Sequence, residues 1–210
     1  MSQSFTPQIY LITPTSFELE ALLPKLKTIV EEIKIACVRL AISELPEDKI
    51  IQLGDNMREF CHQHDIPVVL DEHFRLAQQI GLDGVHLRHG PRHLGAARKT
   101  LGEDAIVGCF CDASSHMGMT AGENGADYVS FGPIGESVKG DGARAEKDLF
   151  QWWSEMIEVP VVAEGALSHP HVQELSQFTD FFAVGPEIWE EENPLEALQT
   201  LLGPVFDANR

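Results

Sequence analysis

Arg39 stands near the end of an apolar run, Ile35-Ala36-Cys37-Val38-Arg39-Leu40, and a second run, Pro67-Val68-Val69-Leu70, ends in Asp71-Glu72. A guanidinium at the end of a buried strand needs an anion, because a charge taken out of water without a partner is costly. The two carboxylates, one strand away, are its natural partners. Two readings of the trio stand side by side: an internal ion pair that closes the core, or a cluster that grips a ligand. Adjacent carboxylates beside an arginine suit a Mg²⁺-bound diphosphate, since Mg²⁺ takes one or two carboxylates and completes its octahedron with phosphate and water.

Other strand ends add to this chemistry. Gly165 and Gly185 follow the last two apolar runs, where backbone N–H groups can hold a phosphate. Glu164 and Glu187 flank them with charge of the wrong sign for an anion. Lys139 lies in a long glycine-rich segment, Gly132 to Gly142, from which a lysine can swing over a ligand or simply stay solvated. His73, His86, His89 and His93 gather near the third and fourth runs without tight zinc-ligand spacing. His86 reads as a hydrogen-bonded core residue, whereas His89, just past its strand, is placed for proton transfer. Cys109-Phe110-Cys111 puts two thiols on one face of a strand, as small core residues.

The elements that must position these groups follow a recurring pattern. A glycine or polar break, an aspartate and a short apolar run appear at Gly81-Leu82-Asp83-Gly84-Val85-His86-Leu87, at Gly125-Ala126-Asp127-Tyr128-Val129-Ser130-Phe131, and at Thr179-Asp180-Phe181-Phe182-Ala183-Val184. Each follows a helix-like segment, so glycine ends a helix and the apolar run is a buried strand. Strands are expected at Ile9–Thr13, Ile35–Leu40, Pro67–Leu70, Asp83–Leu87, Ala105–Cys109, Asp127–Phe131, Val159–Ala163 and Asp180–Val184. Helices alternate with them: Phe17–Glu32 with Ser16 as N-cap, Glu47–His64, His73–Ile80, Leu94–Leu101, Ser114–Glu123, Glu146–Ile157, Pro170–Gln177 and Pro194–Leu202. The strands are rich in valine and isoleucine, as strands buried on both faces should be. The expected fold is an α/β (β/α)₈ TIM barrel, one domain over residues 1–210, with no unpaired sheet edge.

Composition narrows the partners. The net charge of −18 opposes binding to nucleic acid or an anionic membrane, so an anionic substrate would need a local positive pocket. No apolar stretch approaches the roughly 20 residues of a membrane span. Four scattered cysteines and a first segment without signal-peptide features point to a reducing cytoplasm. A homo-oligomer is left open.

With these residues in place, the chain resembles the thiamine phosphate synthase/TenI family from about Ile9 to Trp189. The likeness rests on Tyr10-Leu11-Ile12-Thr13, Leu70-Asp71-Glu72-His73-Phe74-Arg75-Leu76-Ala77, Asp83-Gly84-Val85-His86-Leu87, and Gly125-Ala126-Asp127-Tyr128-Val129 running into Phe131-Gly132-Pro133-Ile134. The resemblance implies a barrel that joins hydroxymethylpyrimidine diphosphate to thiazole phosphate, releasing pyrophosphate with Mg²⁺, or, in TenI-type relatives, isomerises the thiazole. It implies a small phosphorylated heterocycle as partner. By the same resemblance Arg39, Asp71, Ser137, Lys139, Gly165 and Gly185 bind substrate phosphates, Glu72 is the metal carboxylate, and Arg39 and Lys139 are catalytic; His89, from its own place past the strand end, is the third catalytic candidate.

Several positions depart from the family's pattern. Glutamine and lysine at strand two are Cys37 and Ala41, the second metal aspartate falls on Pro91, and a pyrophosphate-holding serine falls on Phe110. The first glycine after strand seven is Glu164, and the serine of the last phosphate loop is Gly185. A reaction that expels pyrophosphate from a cation-like pyrimidine needs positive charge on the leaving group. These replacements remove some of it. A non-catalytic paralogue that binds a heterocycle without turning it over is therefore the alternative expectation.

Overall fold

The computed structural model describes residues 6–136, 143–203 and 205. Eight parallel strands close in sequence order into a barrel: β1 Gln8–Ile12, β2 Ile35–Leu40, β3 Val68–Asp71, β4 Gly84–Leu87, β5 Ile106–Phe110, β6 Tyr128–Phe131, β7 Val161–Glu164 and β8 Phe181–Val184. The helices are α1 Leu19–Glu32, α2 Glu47–His62, α3 Phe74–Ile80, α4 Leu94–Leu101, α5 Ser115–Glu123, α6 Lys147–Met156, α7 His169–Leu175, α8 Pro186–Trp189 and α9 Pro194–Leu201.

The expected barrel and the alternation of elements are observed, with shifts at the ends. The strand expected from Val159 begins at Val161, because Val159 and Pro160 belong to the turn out of α6. Ser16 does not cap α1; Glu18 occupies that position in extended backbone and makes no side-chain cap. Ser114 does cap α5, its Oγ accepting from the Met117 N–H at 3.2 Å. Two short elements were not anticipated: a 3₁₀ turn at Pro91–His93 and helix α8. Each starts with a proline after a glycine, a pattern that fits a turn as well as a helix start.

The recurring aspartate has a structural explanation. Asp83, Asp127 and Asp180 each accept a backbone N–H from the first or second residue of the preceding strand, at Val68, Val107 and Val161, all at 2.7 Å. Each precedes an even-numbered strand, so the motif staples β4 to β3, β6 to β5 and β8 to β7 at the N-terminal end of the barrel. That end carries stability; the opposite end carries chemistry.

Strand alternation splits the core in two. Outward residues such as Leu11, Val38, Leu70, Val129 and Phe182 pack against the helices, where α1 contributes Leu26 and Ile29 and α6 contributes Phe150 and Trp153. Inward residues fill the barrel in layers contributed by alternate strands, rising one residue per strand as the shear of this fold requires. On that basis the registers stack Cys37, Gly84, Tyr128 and Phe181 lowest. Tyr10, Val69, Gly108 and Val162 come next, then Arg39, His86, Ser130 and Ala183. Ile12, Asp71, Phe110 and Glu164 form the layer beneath the mouth.

Gly108 is required in this stack, since any Cβ there would overlap the Tyr128 ring. The space lets Tyr128 bridge Tyr10, at 2.7 Å between hydroxyls, and His86 Nδ1, at 2.9 Å. Burial raises both phenol pKa values and lowers that of His86, which Arg39 and Arg88 depress further. This chain of neutral groups forms the barrel's polar interior. His86 is thus the hydrogen-bonded core histidine that its position in the sequence suggested.

Candidate active site

Arg39 points into the barrel with its side chain only 8% exposed. Its Nη1 donates to Glu164 Oε2 at 2.8 Å, and its Nε lies 3.3 Å from Asp71 Oδ1. The second contact is ionic rather than a well-aligned hydrogen bond, because Nε and Oδ1 both lack a hydrogen-bond partner among the described residues. The expected pairing with Asp71 is present, but Glu164 takes the place assigned to Glu72. Alternation explains the correction. Asp71 and Glu164 are the inward residues at the ends of their strands, whereas Glu72 lies one residue beyond its strand in left-handed backbone, φ 62°. Its Oε1 accepts instead from the Arg88 backbone N–H.

Arg88 follows β4 at the rim. Its Nε is 3.7 Å from Asp71 Oδ2, its Nη1 donates to Ser43 Oγ at 3.2 Å and stands 3.9 Å from Glu44, and its side chain is 40% exposed. Two guanidiniums thus share the carboxylates of Asp71 and Glu164, with Glu44 and Glu72 close to Arg88 at the rim. Burial still dominates at Asp71 and pushes its pKa up to about 6, against the pull of Arg39 and Arg88 and with help from Glu164 and Glu72. At Arg39 burial is the largest single effect and pulls the pKa down, but Glu164, Asp71, Tyr10 and Tyr128 together outweigh it and the guanidinium stays charged.

The donors present do not fit a resident Mg²⁺. Asp71 is held between two guanidiniums, and Glu72 is turned onto the Arg88 backbone amide. A divalent cation on Asp71 would face both arginines, and like charges at close range oppose binding. Among the described residues no three His, Cys, Asp or Glu side chains gather as a metal site, zinc included. His73 bonds the Ser43 carbonyl at 2.8 Å, and His89 is exposed at the rim beside Arg88.

The corner between β7 and β8 also differs from expectation. Gly165 adopts φ 92°, and its carbonyl accepts from Ile134 and Gly135 N–H. The Gly185 N–H, expected to meet phosphate, donates to Glu187 Oε2 at 2.8 Å, while Leu167 N–H donates to Oε1 of the same carboxylate at 3.1 Å. A carboxylate of the chain thus sits on the amide expected to meet a ligand's anion. Ser137 and Lys139 lie outside the described residues. The positions flanking that segment, Glu136 and Arg144, form an ion pair at 2.7 Å.

Sequence reasoning brought Arg39 and Asp71 to one place, set Glu72 beside them, and recognised Glu164 only as an unfavourable charge. Counting inward positions along β7 was the signal that could have identified it as Arg39's partner.

The sequence profile described as thiamine monophosphate synthase matches residues 9–188. The chain belongs to the thiamine monophosphate synthase family. A thiamine-phosphate synthase of Rhodospirillum centenum is 37% identical to it over 186 residues, covering 87% of this chain and 89% of the relative. Another, of Erythrobacter litoralis, is 33% identical over 159 residues, covering 74% and 75%. A thiamine phosphate pyrophosphorylase structure from Pyrococcus furiosus superposes with a TM-score of 0.82 over 98% of both chains, at 20% identity, which speaks to the fold alone. Family members of this similarity place the chain in thiamine biosynthesis.

Proposed function

We propose that this family member joins a pyrimidine diphosphate to a thiazole at the barrel mouth. The thiazole ring nitrogen attacks the pyrimidine methylene carbon, a C–N bond forms, the C–O bond breaks, and its electron pair leaves with pyrophosphate. The observation that carries the reading is Arg88, a rim guanidinium held by Asp71 and Ser43 yet 40% exposed. It supplies positive charge where this arrangement offers no fit for a resident metal, and charge on the departing group is what such a transition state needs. Arg39, neutralised beneath it, acts by fixing Asp71 and through Asp71 the orientation of Arg88. His89 is the rim group available for proton transfer.

The test is a pyrophosphate-release assay with chromatographic detection of the joined product, run on wild type and Arg88→Ala. Loss of about 10²–10³ in kcat is expected for removing one charge-stabilising group. Turnover unchanged in the variant would sink the role of Arg88.

A second reading has its own observation. Arg39 is paired with both Asp71 and Glu164, which suits a barrel that binds a heterocycle without expelling pyrophosphate. Tight binding of a thiazole by wild type with no pyrophosphate release would select it.

A further inference from the structure

We infer that a cavity on the flank of the barrel, between the first turns of α2 and α3, is a second binding site for a small amphipathic zwitterion. An amino acid with an apolar side chain is the simplest such ligand. The inference stands apart from the condensation proposed at the mouth.

The cavity holds about 540 Å³. Small-molecule sites span roughly 300–1,000 Å³, with mostly apolar walls and a few placed polar groups. Leu45, Ile50, Phe74 and Leu76 supply the apolar walls. Ile50 and Leu76 belong to the buried core, whereas Leu45 and Phe74 are only partly covered and keep apolar surface to offer. A leucine- or phenylalanine-sized side chain laid against them leaves water. Arg88 is not one of the walls, although Ser43, which is, accepts from Arg88 Nη1 at 3.2 Å. The cavity therefore adjoins the barrel mouth without being part of it.

Its charges select the ligand. Glu47, in the first turn of α2, and Arg75, in the first turn of α3, both line the cavity. Neither has a hydrogen-bond or ion-pair partner among the described residues, so they do not neutralise each other. Gln79 lines it too, one turn after Arg75 on the same face of α3. Two further polar walls are already engaged: Glu72 accepts from the Arg88 N–H, and His73 bonds the Ser43 carbonyl at 2.8 Å. What remains open is one carboxylate and one guanidinium over apolar walls. A ligand with one charge satisfies one of them and brings a like charge towards the other, which is unfavourable. A polyphosphate would meet Glu47 and Glu72; a polyamine would meet Arg75. A zwitterion meets neither conflict: its ammonium donates to Glu47, and its carboxylate accepts from Arg75 and the Gln79 amide.

The experiment measures binding, not turnover. L-Leucine and L-phenylalanine are titrated calorimetrically into wild type, beside glycine, isocaproate (leucine without its ammonium) and isoamylamine (leucine without its carboxylate). At least one of the two apolar amino acids is expected to bind saturably, with Kd at or below about 1 mM, a modest efficiency for a ligand of that size. Glycine should bind at least about tenfold more weakly, because it lacks the side chain the walls cover. Isocaproate and isoamylamine should each be weaker than leucine by about fivefold, the value of one exposed charge pair. Glu47→Gln and Arg75→Gln change exposed residues, so the fold should persist, with melting curves as the check. Arg75→Gln should weaken leucine and isocaproate but not isoamylamine; Glu47→Gln should weaken leucine and isoamylamine but not isocaproate. Arg88→Ala should keep the binding. Absence of saturable binding by both apolar amino acids, or binding indifferent to both substitutions, would overturn the inference. So would glycine or a singly charged analogue matching leucine. Binding lost in folded Arg88→Ala would overturn it as well, by moving the ligand to the barrel mouth.

Discussion

Arg39 and Glu164 meet at 2.8 Å from β2 and β7, well apart in the order of the closed barrel. No local sequence signal joins these residues. Their pairing holds Arg39 across the barrel and leaves Asp71 to face Arg88. Replacing Glu164 by Ala removes one of two anions from a guanidinium that is 8% exposed. Breaking a buried pair costs about 3–5 kcal/mol, and the low end is expected because Asp71 remains. Chemical denaturation of Glu164→Ala against wild type measures it; a loss near zero would mean the pair is not a support of the fold.

Asp71 sets a pH dependence. Its folded pKa is raised from 3.8 to about 6, with burial as the leading cause. The folded protein therefore binds this proton more tightly than the unfolded chain, so the group's contribution to stability is fully present below 3.8 and is lost as pH rises through about 6. Wild type should lose stability relative to Asp71→Asn across that window. Parallel unfolding curves for the two proteins between pH 4 and about 7 would contradict the raised pKa.

Gly108 makes room for the Tyr128 phenol, which links Tyr10 to His86. Gly108→Ala should displace that ring and break the chain of neutral groups. Overpacking of this kind costs about 1–3 kcal/mol. The melting temperature should fall and the His86 ring resonances should shift; a variant with unchanged melting would show that the interior absorbs the methyl group.

The aspartate staples offer a fourth test. Asp180→Ala leaves the Val161 N–H without its acceptor. Leaving such a donor unsatisfied costs about 1–3 kcal/mol, and Asp180→Asn, which keeps an oxygen acceptor, should recover much of it. Both are read from denaturant midpoints. Equal effects of the two substitutions would show that charge, not the hydrogen bond, is what matters at this position.

Much of this architecture is legible in linear order. The Gly–Asp–apolar repeat marks strand starts because each aspartate serves an amide at the start of the neighbouring strand, a contact between adjacent elements. Ser114, read as the first residue of its helix, is the cap one position before it, a local bond that spans three residues. Ser16 misleads because α1 starts later, at Leu19. Helix α8 was hidden because Gly185-Pro186 reads equally well as a turn.

The chain's own order determined the barrel, its eight units and the end at which charged residues gather, since apolar periodicity and helix stops are local properties. Tertiary structure alone decided what those charges do. Closing the sheet put Glu164 rather than Glu72 on Arg39, because strand parity and barrel shear choose which side chains face inward. Folding the last loops set the Glu187 carboxylate on Gly185 and Leu167, because distant backbone amides become neighbours only when β7 and β8 lie side by side.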